Sequence, residues 1–223
     1  MRVARKLDAL QTRIVFTGGA IVSLLLDHPE LASGRVTNDV DVIARVLTRI
    51  EYTDLEARLR ALGCRHDTSE GAPLCRWLVE GVKVDMLPMR DPTGTLSNPW
   101  FEYAVVTAQE ICLHGQSLWL VQAPAFLALK LTAFQNRGGN DFMGSHDLED
   151  IVNVVDGRAG VVEEVAQTDG HVRSFIVRTL AGLLNDDRFW ECLPGHLPPD
   201  TASQQRLPML KTKLHTLAAL RAE

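Results

Sequence analysis

The chain has 223 residues, 46% of them hydrophobic and 23% charged, with a formal net charge of -5. Its length and apolar share suffice for one substantial core, or a core plus a smaller helical module, and exclude a disordered chain; the acidic balance does not advertise the clustered basic surface that generic nucleic-acid binding uses. No apolar run reaches the roughly 18 residues needed to cross a membrane, residues 1–10 lack a signal-peptide core, and Cys64, Cys75, Cys112 and Cys192 lack the paired spacing of a zinc cluster or disulfide framework, so a cytoplasmic protein without membrane contact is expected.

In chain order, a basic amphipathic helix is expected over residues 3–10. Arg13-Ile14-Val15-Phe16 then reads as a short buried strand, Thr17-Gly18-Gly19 as a sharp turn, and residues 20–26 as the start of an apolar helix. Strand, glycines, helix is an order suited to phosphate. Glycines let the backbone approach an anion closely, and the first amides of a helix lack internal partners and carry the positive end of its dipole. An isolated glycine pair is more commonly a plain tight turn, so its weight depends on the segments downstream of it.

The next such segment is Thr37-Asn38-Asp39-Val40-Asp41-Val42-Ile43. The alternation places Asp39 and Asp41 on one face of a strand and Val40 and Val42 on the other. A helix over residues 53–62 leads to a hairpin, in which Leu74-Cys75-Arg76-Trp77-Leu78-Val79 and Val82-Lys83-Val84-Asp85 flank the two-residue turn Glu80-Gly81. There Val82, Val84 and Met86 share one side and Lys83 and Asp85 the other. With the strands as neighbours, three carboxylates converge. Carboxylates packed together resist ionisation unless a cation sits among them, which argues for a hard metal with oxygen ligands, magnesium first and manganese as a substitute. Asp-x-Asp pairs also cap backbone amides at strand ends; the order of glycine turn, pair and third aspartate is the more specific signal. Moving a nucleotide from a triphosphate requires charge to be neutralised on the attacking and leaving oxygens, which metal ions held by a few carboxylates supply.

Residues 105–111 and 118–121 are expected to add edge elements, and from Ala123 onward the pattern is helical. Pro124 suits a first helical turn, and Phe126, Leu127, Leu131 and Phe134 form an apolar stripe with Lys130 at its edge. Asn136-Arg137-Gly138-Gly139-Asn140-Asp141-Phe142-Met143-Gly144 is a glycine-rich connection whose Arg137 has a fork of donors suited to phosphate. Ser145 is placed to cap a helix whose core face is Leu148, Ile151, Val152 and Val155, with Asp147, Glu149 and Asp150 near its dipole end. Residues 157–160 break the helical pattern, residues 161–184 resume it, and a Pro-rich stretch over 193–199 precedes a last helix over 204–220. The basic residues Arg2, Arg5, Lys6 and Arg13 at the front, and Arg206, Lys211, Lys213 and Arg221 at the back, are either solvated helix faces or a surface for an acceptor strand. None of the seven histidines makes a metal spacing or a partner for an activated nucleophile, which disfavours a hydrolase triad.

The segments Phe16-Thr17-Gly18-Gly19-Ala20, Thr37-Asn38-Asp39-Val40-Asp41-Val42 and Val82-Lys83-Val84-Asp85 resemble the polymerase-β-like nucleotidyltransferase superfamily, in particular its AbiEii/AbiGii toxin family. Ala128-Leu129-Lys130-Leu131-Thr132-Ala133-Phe134 and Ser145-His146-Asp147-Leu148-Glu149-Asp150-Ile151 extend the resemblance, which covers residues 14–156. It implies that Gly18 and Gly19 cradle a triphosphate, that Asp39 and Asp41 bind metal and phosphates, and that Asp85 binds metal and helps to activate an acceptor hydroxyl. It also implies that Lys130 contacts phosphate and that Asp147, with Asp150 as its rival, orients Lys130 or the acceptor. Where many members of the superfamily have a serine after the first glycine this chain has Gly19, leaving Thr17 as a substitute hydroxyl.

The fold implied is α/β in the α+β sense: a minimal nucleotidyltransferase fold with a small mixed sheet flanked by helices over residues 1–121, then a helical region over residues 122–223 completing the cleft. The activity implied is magnesium-dependent transfer of a nucleoside monophosphate from a nucleoside triphosphate to a hydroxyl acceptor with release of pyrophosphate. In toxin-like relatives that acceptor is RNA, often a transfer RNA end, and an antitoxin protein controls the enzyme. Transfer to a protein or to a small molecule such as an aminoglycoside, and a degenerate nucleotide-binding module without catalysis, are the alternatives.

Overall fold

The structure is a computed structural model and describes residues 1–31, 37–91, 98–138 and 141–222. Its elements in chain order are α1 (Arg2–Asp8), β1 (Ile14–Thr17), a 3-10 turn (Gly19–Ile21), α2 (Val22–Leu25), β2 (Asp39–Ala44), α3 (Arg49–Ala61), β3 (Arg65–His66), β4 (Arg76–Val79), β5 (Val82–Pro88), α4 (Phe101–Val106), β6 (Gln109–Leu113) and β7 (Gln116–Leu120). The helices α5 (Ala123–Ala133), α6 (His146–Gly157), α7 (Val161–Gln167), α8 (Gly170–Leu184), α9 (Asp187–Cys192), α10 (Thr201–Gln205) and α11 (Leu207–Ala218) complete the chain. It divides into two compact units, Met1–Ile21 with Val36–Gln122 and Val22–Arg35 with Ala123–Glu223. Every described strand lies in the first and the second is helical. Among the described residues no helix is long and apolar enough to cross a membrane.

The first unit is a seven-stranded mixed sheet in the order β3-β4-β5-β2-β1-β7-β6, flanked by helices. Two hairpins fix much of the register. Glu80 and Gly81 both adopt positive φ, 51° and 77°, the torsions of a type I′ turn, and pair Val79 with Val82 as the sequence leads one to expect. His114 and Gly115 repeat the torsions at 49° and 77° and pair β6 with β7. This second hairpin bears out part of the expectation of edge elements over 105–111 and 118–121, since β6 is an edge strand, and corrects the rest: residues 101–106 are helical, and β7 is an inner strand between β1 and β6.

The helix expected over residues 53–62 starts earlier, at Arg49. Thr48 caps it, accepting from the Glu51 N–H at 3.2 Å, while the Glu51 carboxylate accepts from the Thr48 N–H at 3.3 Å. This capping box satisfies two amides that would otherwise be orphaned, outweighing the modest helix propensity of Ile50, Tyr52 and Thr53. Along β2, β5 and β4 the side chains of Val42, Val84, Met86, Trp77 and Val79 share one face and are wholly withdrawn from solvent. That core leaves the opposite face of these strands for chemistry.

In the second unit α5 is buried almost all round and packs on α6, α7 and α8, with α11 closing on α6 and α8. Ser145 caps α6 as expected, accepting from the Leu148 N–H at 3.3 Å. At the other end of α6, Lys213 donates from Nζ to the carbonyls of Val155, Asp156 and Arg158 at 3.0, 3.0 and 3.1 Å, and Arg206 Nε donates to Asp156 at 2.8 Å. Lys213 thereby satisfies carbonyls at the end of the helix, and Arg206 pairs with the Asp156 carboxylate there. They also revise the reading of the C-terminal basic segment: Arg206 and Lys213 are structural.

Candidate active site

β2 and β5 run parallel in a register that sets Asp41 directly opposite Asp85 and Asp39 opposite the exposed Lys83. β1 lies antiparallel against the other side of β2, with the buried Thr17 opposite Asp41. Asp39, Asp41 and Asp85 therefore stand on one face of adjacent strands, as the alternation requires. Like charges placed directly across a ladder are destabilising, so the arrangement needs compensation.

Arg76 supplies it. The β4–β5 hairpin sets Arg76 opposite Asp85. Its Nε donates to Asp85 Oδ1 at 2.7 Å, and its Nη2 donates to Asp85 Oδ2 and to Asp39 Oδ2, both at 2.8 Å. The Arg76 and Asp85 side chains are only 17% and 13% exposed, so this forked, charge-assisted pair is partly shielded from water. Hydrogen bonding to Asp85, against the opposing effect of burial, holds the guanidinium charged more firmly than in an ordinary arginine. The convergence of carboxylates was expected to call for a metal ion. The cation that lies between Asp39 and Asp85 is Arg76, and, as the side chains stand beside it, no group of three or more acidic, histidine or cysteine side chains among the described residues is already arranged to hold a metal ion.

Arg76 is absent from the residues singled out in the sequence, although the signal was there. With Val79 paired to Val82 by the Glu80-Gly81 turn, each step back along β4 is a step forward along β5, and the fourth pair is Arg76 with Asp85. Cys75, its neighbour, is no rival nucleophile: burial first, then the charges of Asp85 and Asp41, push its thiol up to about 11.

Gly18 is the position where glycine is required twice over. Its φ is +76°, and a Cβ there would collide with the Asp41 carboxylate, lying 2.7 Å from Asp41 Cγ. The turn thus carries backbone directly against one of the three acids. The helix expected to start at Ala20 is instead a 3-10 turn, Gly19–Ile21, in which the Ile21 N–H donates to the Gly18 carbonyl at 3.3 Å, succeeded by the four-residue α2. So short a segment sums few peptide dipoles, which weakens the helix-dipole part of the phosphate argument and leaves the local amides of the glycine turn.

The remaining expected residues gather in the second unit. Lys130 Nζ lies 3.0 Å from Asp147 Oδ1 and 2.7 Å from Asp150 Oδ2, and Arg137 donates from Nε and Nη2 to the two Asp147 oxygens at 2.9 and 3.0 Å. Asp147 and Asp150, read from the sequence as rivals, both engage Lys130, because their i,i+3 spacing puts them on one face of α6. Burial opposes ionisation of Asp147, but the hydrogen bonds and charges of Arg137 and Lys130 prevail and hold its carboxyl below the usual range. Arg137 belongs to a π-helical turn, Phe134–Gly138, that prolongs α5; of the expected glycine-rich connection, Gly139 and Asn140 lie outside the described residues. Lys130 is an ion-paired interior residue, not a solvated one.

No protein-family model matches the chain, and no curated protein matches it. Among solved structures, that of an antigenic nucleotidyltransferase-like protein from Paracoccidioides brasiliensis superposes with a TM-score of 0.54 at 20% sequence identity, over 90% of this chain and 92% of that one. The antibiotic-resistance factor ANT(2'')-Ia gives 0.48 at 11% identity over 85% and 94% of the two chains, and JHP933 from Helicobacter pylori gives 0.46 at 10% over 97% and 88%. The first likeness establishes the fold: a mixed sheet flanked by helices of the nucleotidyltransferase kind.

Proposed function

We propose that the protein is a metal-dependent nucleotidyltransferase that moves a nucleoside monophosphate from a nucleoside triphosphate to a hydroxyl group. The observation that carries this reading is the β1–β2–β5 register, which brings Asp39, Asp41 and Asp85 onto one face beside the Gly18 turn. The donor set suits a hard divalent cation, since it offers carboxylate oxygens only. Asp39, Asp41 and Asp85 would hold that ion, magnesium or in its place manganese. Bound there, it would neutralise charge on the attacking and leaving oxygens. Gly18 and Gly19 let backbone amides meet the triphosphate without a side chain in the way. The acceptor oxygen bonds to the α-phosphorus, the bond from the α-phosphorus to the bridging oxygen breaks, pyrophosphate leaves, and the acceptor proton passes to Asp85.

The resemblance in the sequence favours RNA, such as a transfer RNA end, as acceptor, with a toxin-like role in the cytoplasm under control of an antitoxin protein. Induced expression of the wild type is then expected to arrest growth and to leave one or more extra nucleotides on RNA 3′ ends, whereas Asp85→Asn does neither. Harmless wild-type expression with unchanged RNA ends sinks this role. A small-molecule acceptor is the second reading. It is favoured by the net charge of -5 and by the internal use of Arg206 and Lys213, which leaves less cationic surface for a phosphate backbone.

Gly18→Ala tests the turn. A left-handed alanine costs about 1–2 kcal/mol, and the collision must displace Asp41. The expected result is a melting temperature lower by several degrees, with transfer reduced roughly a hundredfold because misplacement by about 1 Å costs that much. Unchanged kinetics in Gly18→Ala contradict the placement of the turn in the site.

A further inference from the structure

Arg76 donates to both oxygens of Asp85 and to one of Asp39, so three of the four oxygens of these two carboxylates are engaged by one guanidinium. A divalent cation drawing on the same oxygens requires the guanidinium to leave, both because the lone pairs are taken and because like charges a few ångströms apart repel. The face carries three acids, Asp39, Asp41 and Asp85, and two bases, Arg76 and Lys83, so its charge is already largely balanced in the free protein.

We infer that Arg76 is an exchangeable counter-cation of this site: it holds Asp39 and Asp85 in the free protein and is displaced when a divalent cation binds. The inference rests on the metal-dependent reading above. Once displaced, Arg76 stays beside the site at the end of its long side chain, where its planar fork matches phosphate oxygens.

The test is a Mn2+ titration of the full chain, the free ion monitored by electron paramagnetic resonance, for the wild type, Arg76→Gln and Arg76→Lys, with folding checked by circular dichroism. Arg76→Gln is expected to bind Mn2+ roughly tenfold tighter than the wild type or better, and Arg76→Lys, which keeps the charge but not the fork, to fall between them. Adding Asp85→Asn to Arg76→Gln is expected to abolish the gain. Binding by folded Arg76→Gln no tighter than wild type overturns the exchange while leaving the metal-dependent reading standing. Absence of Mn2+ binding in all three proteins overturns both. If Arg76→Gln does not fold, Arg76→Lys decides: tighter binding than wild type supports the exchange, equal or weaker binding overturns it.

Discussion

Asp39→Asn combined with Asp41→Asn is expected to lower nucleotidyl transfer by about a thousandfold while leaving the fold in place. The first half of that expectation comes from charge. Both side chains sit on the face that would neutralise the triphosphate, and losing several kcal/mol of transition-state charge stabilisation corresponds to about three powers of ten in rate. The second half comes from the part each acid plays in the free protein. Asp41 faces Asp85 across the ladder, an opposition that amidation relieves, and Asp39 gives up one bond to Arg76 at a side chain that is 38% exposed. The melting temperature should therefore move by no more than a few degrees. Rates within about tenfold of wild type in a folded double variant would falsify the assignment of this face as the catalytic one.

Lys130→Met is expected to produce the largest loss of stability of any single change considered. The amine is sealed between Asp147 and Asp150, whose side chains are 6% and 3% exposed, and removing it leaves a carboxylate charge buried without that partner. Breaking a buried pair from one side costs about 3–5 kcal/mol, which for a chain of this length lowers the melting temperature by roughly 10 °C. Burial pulls the Lys130 amine down, but Asp150 and Asp147 outweigh it and raise its pKa above the unfolded value. The contribution is therefore complete below about pH 10.4, the ordinary lysine value, and is lost as pH climbs through the raised one. Lys130→Met with Asp150→Asn should recover much of the loss, since the orphaned charge goes with the lysine. A melting temperature for Lys130→Met within about 2 °C of wild type, read by calorimetry at neutral pH, contradicts a structural role for this ion pair.

How much of the site was legible beforehand varies by residue, for physical reasons. The shared face of Asp39, Asp41 and Asp85 derives from the strand period of two, a local property that survives folding unchanged. The Arg76 clasp was legible as well, because a two-residue turn dictates every cross-strand pair behind it. The contact of Gly18 with Asp41 was not: it depends on the antiparallel pairing of β1 with β2, whose connection spans residues 18–38 and sets no register of its own. Lys130 read as an edge-of-stripe lysine because its partners lie on a different helix; only the i,i+3 spacing of Asp147 and Asp150 hinted that they act together. The helix after the glycine turn was overestimated because apolar composition does not reveal that the backbone tightens to a 3-10 turn.

The central claim is metal-dependent nucleotidyl transfer, and its most direct measurement tracks label from the α-phosphate of each of the four nucleoside triphosphates into the RNA, protein and small-molecule fractions of a cell extract. Purified wild-type protein is assayed with magnesium or manganese, with and without a chelator. The expected result is label from at least one triphosphate in one fraction, RNA for the toxin-like reading, abolished by the chelator. Absence of label from every triphosphate with either ion, or label that survives the chelator, contradicts it.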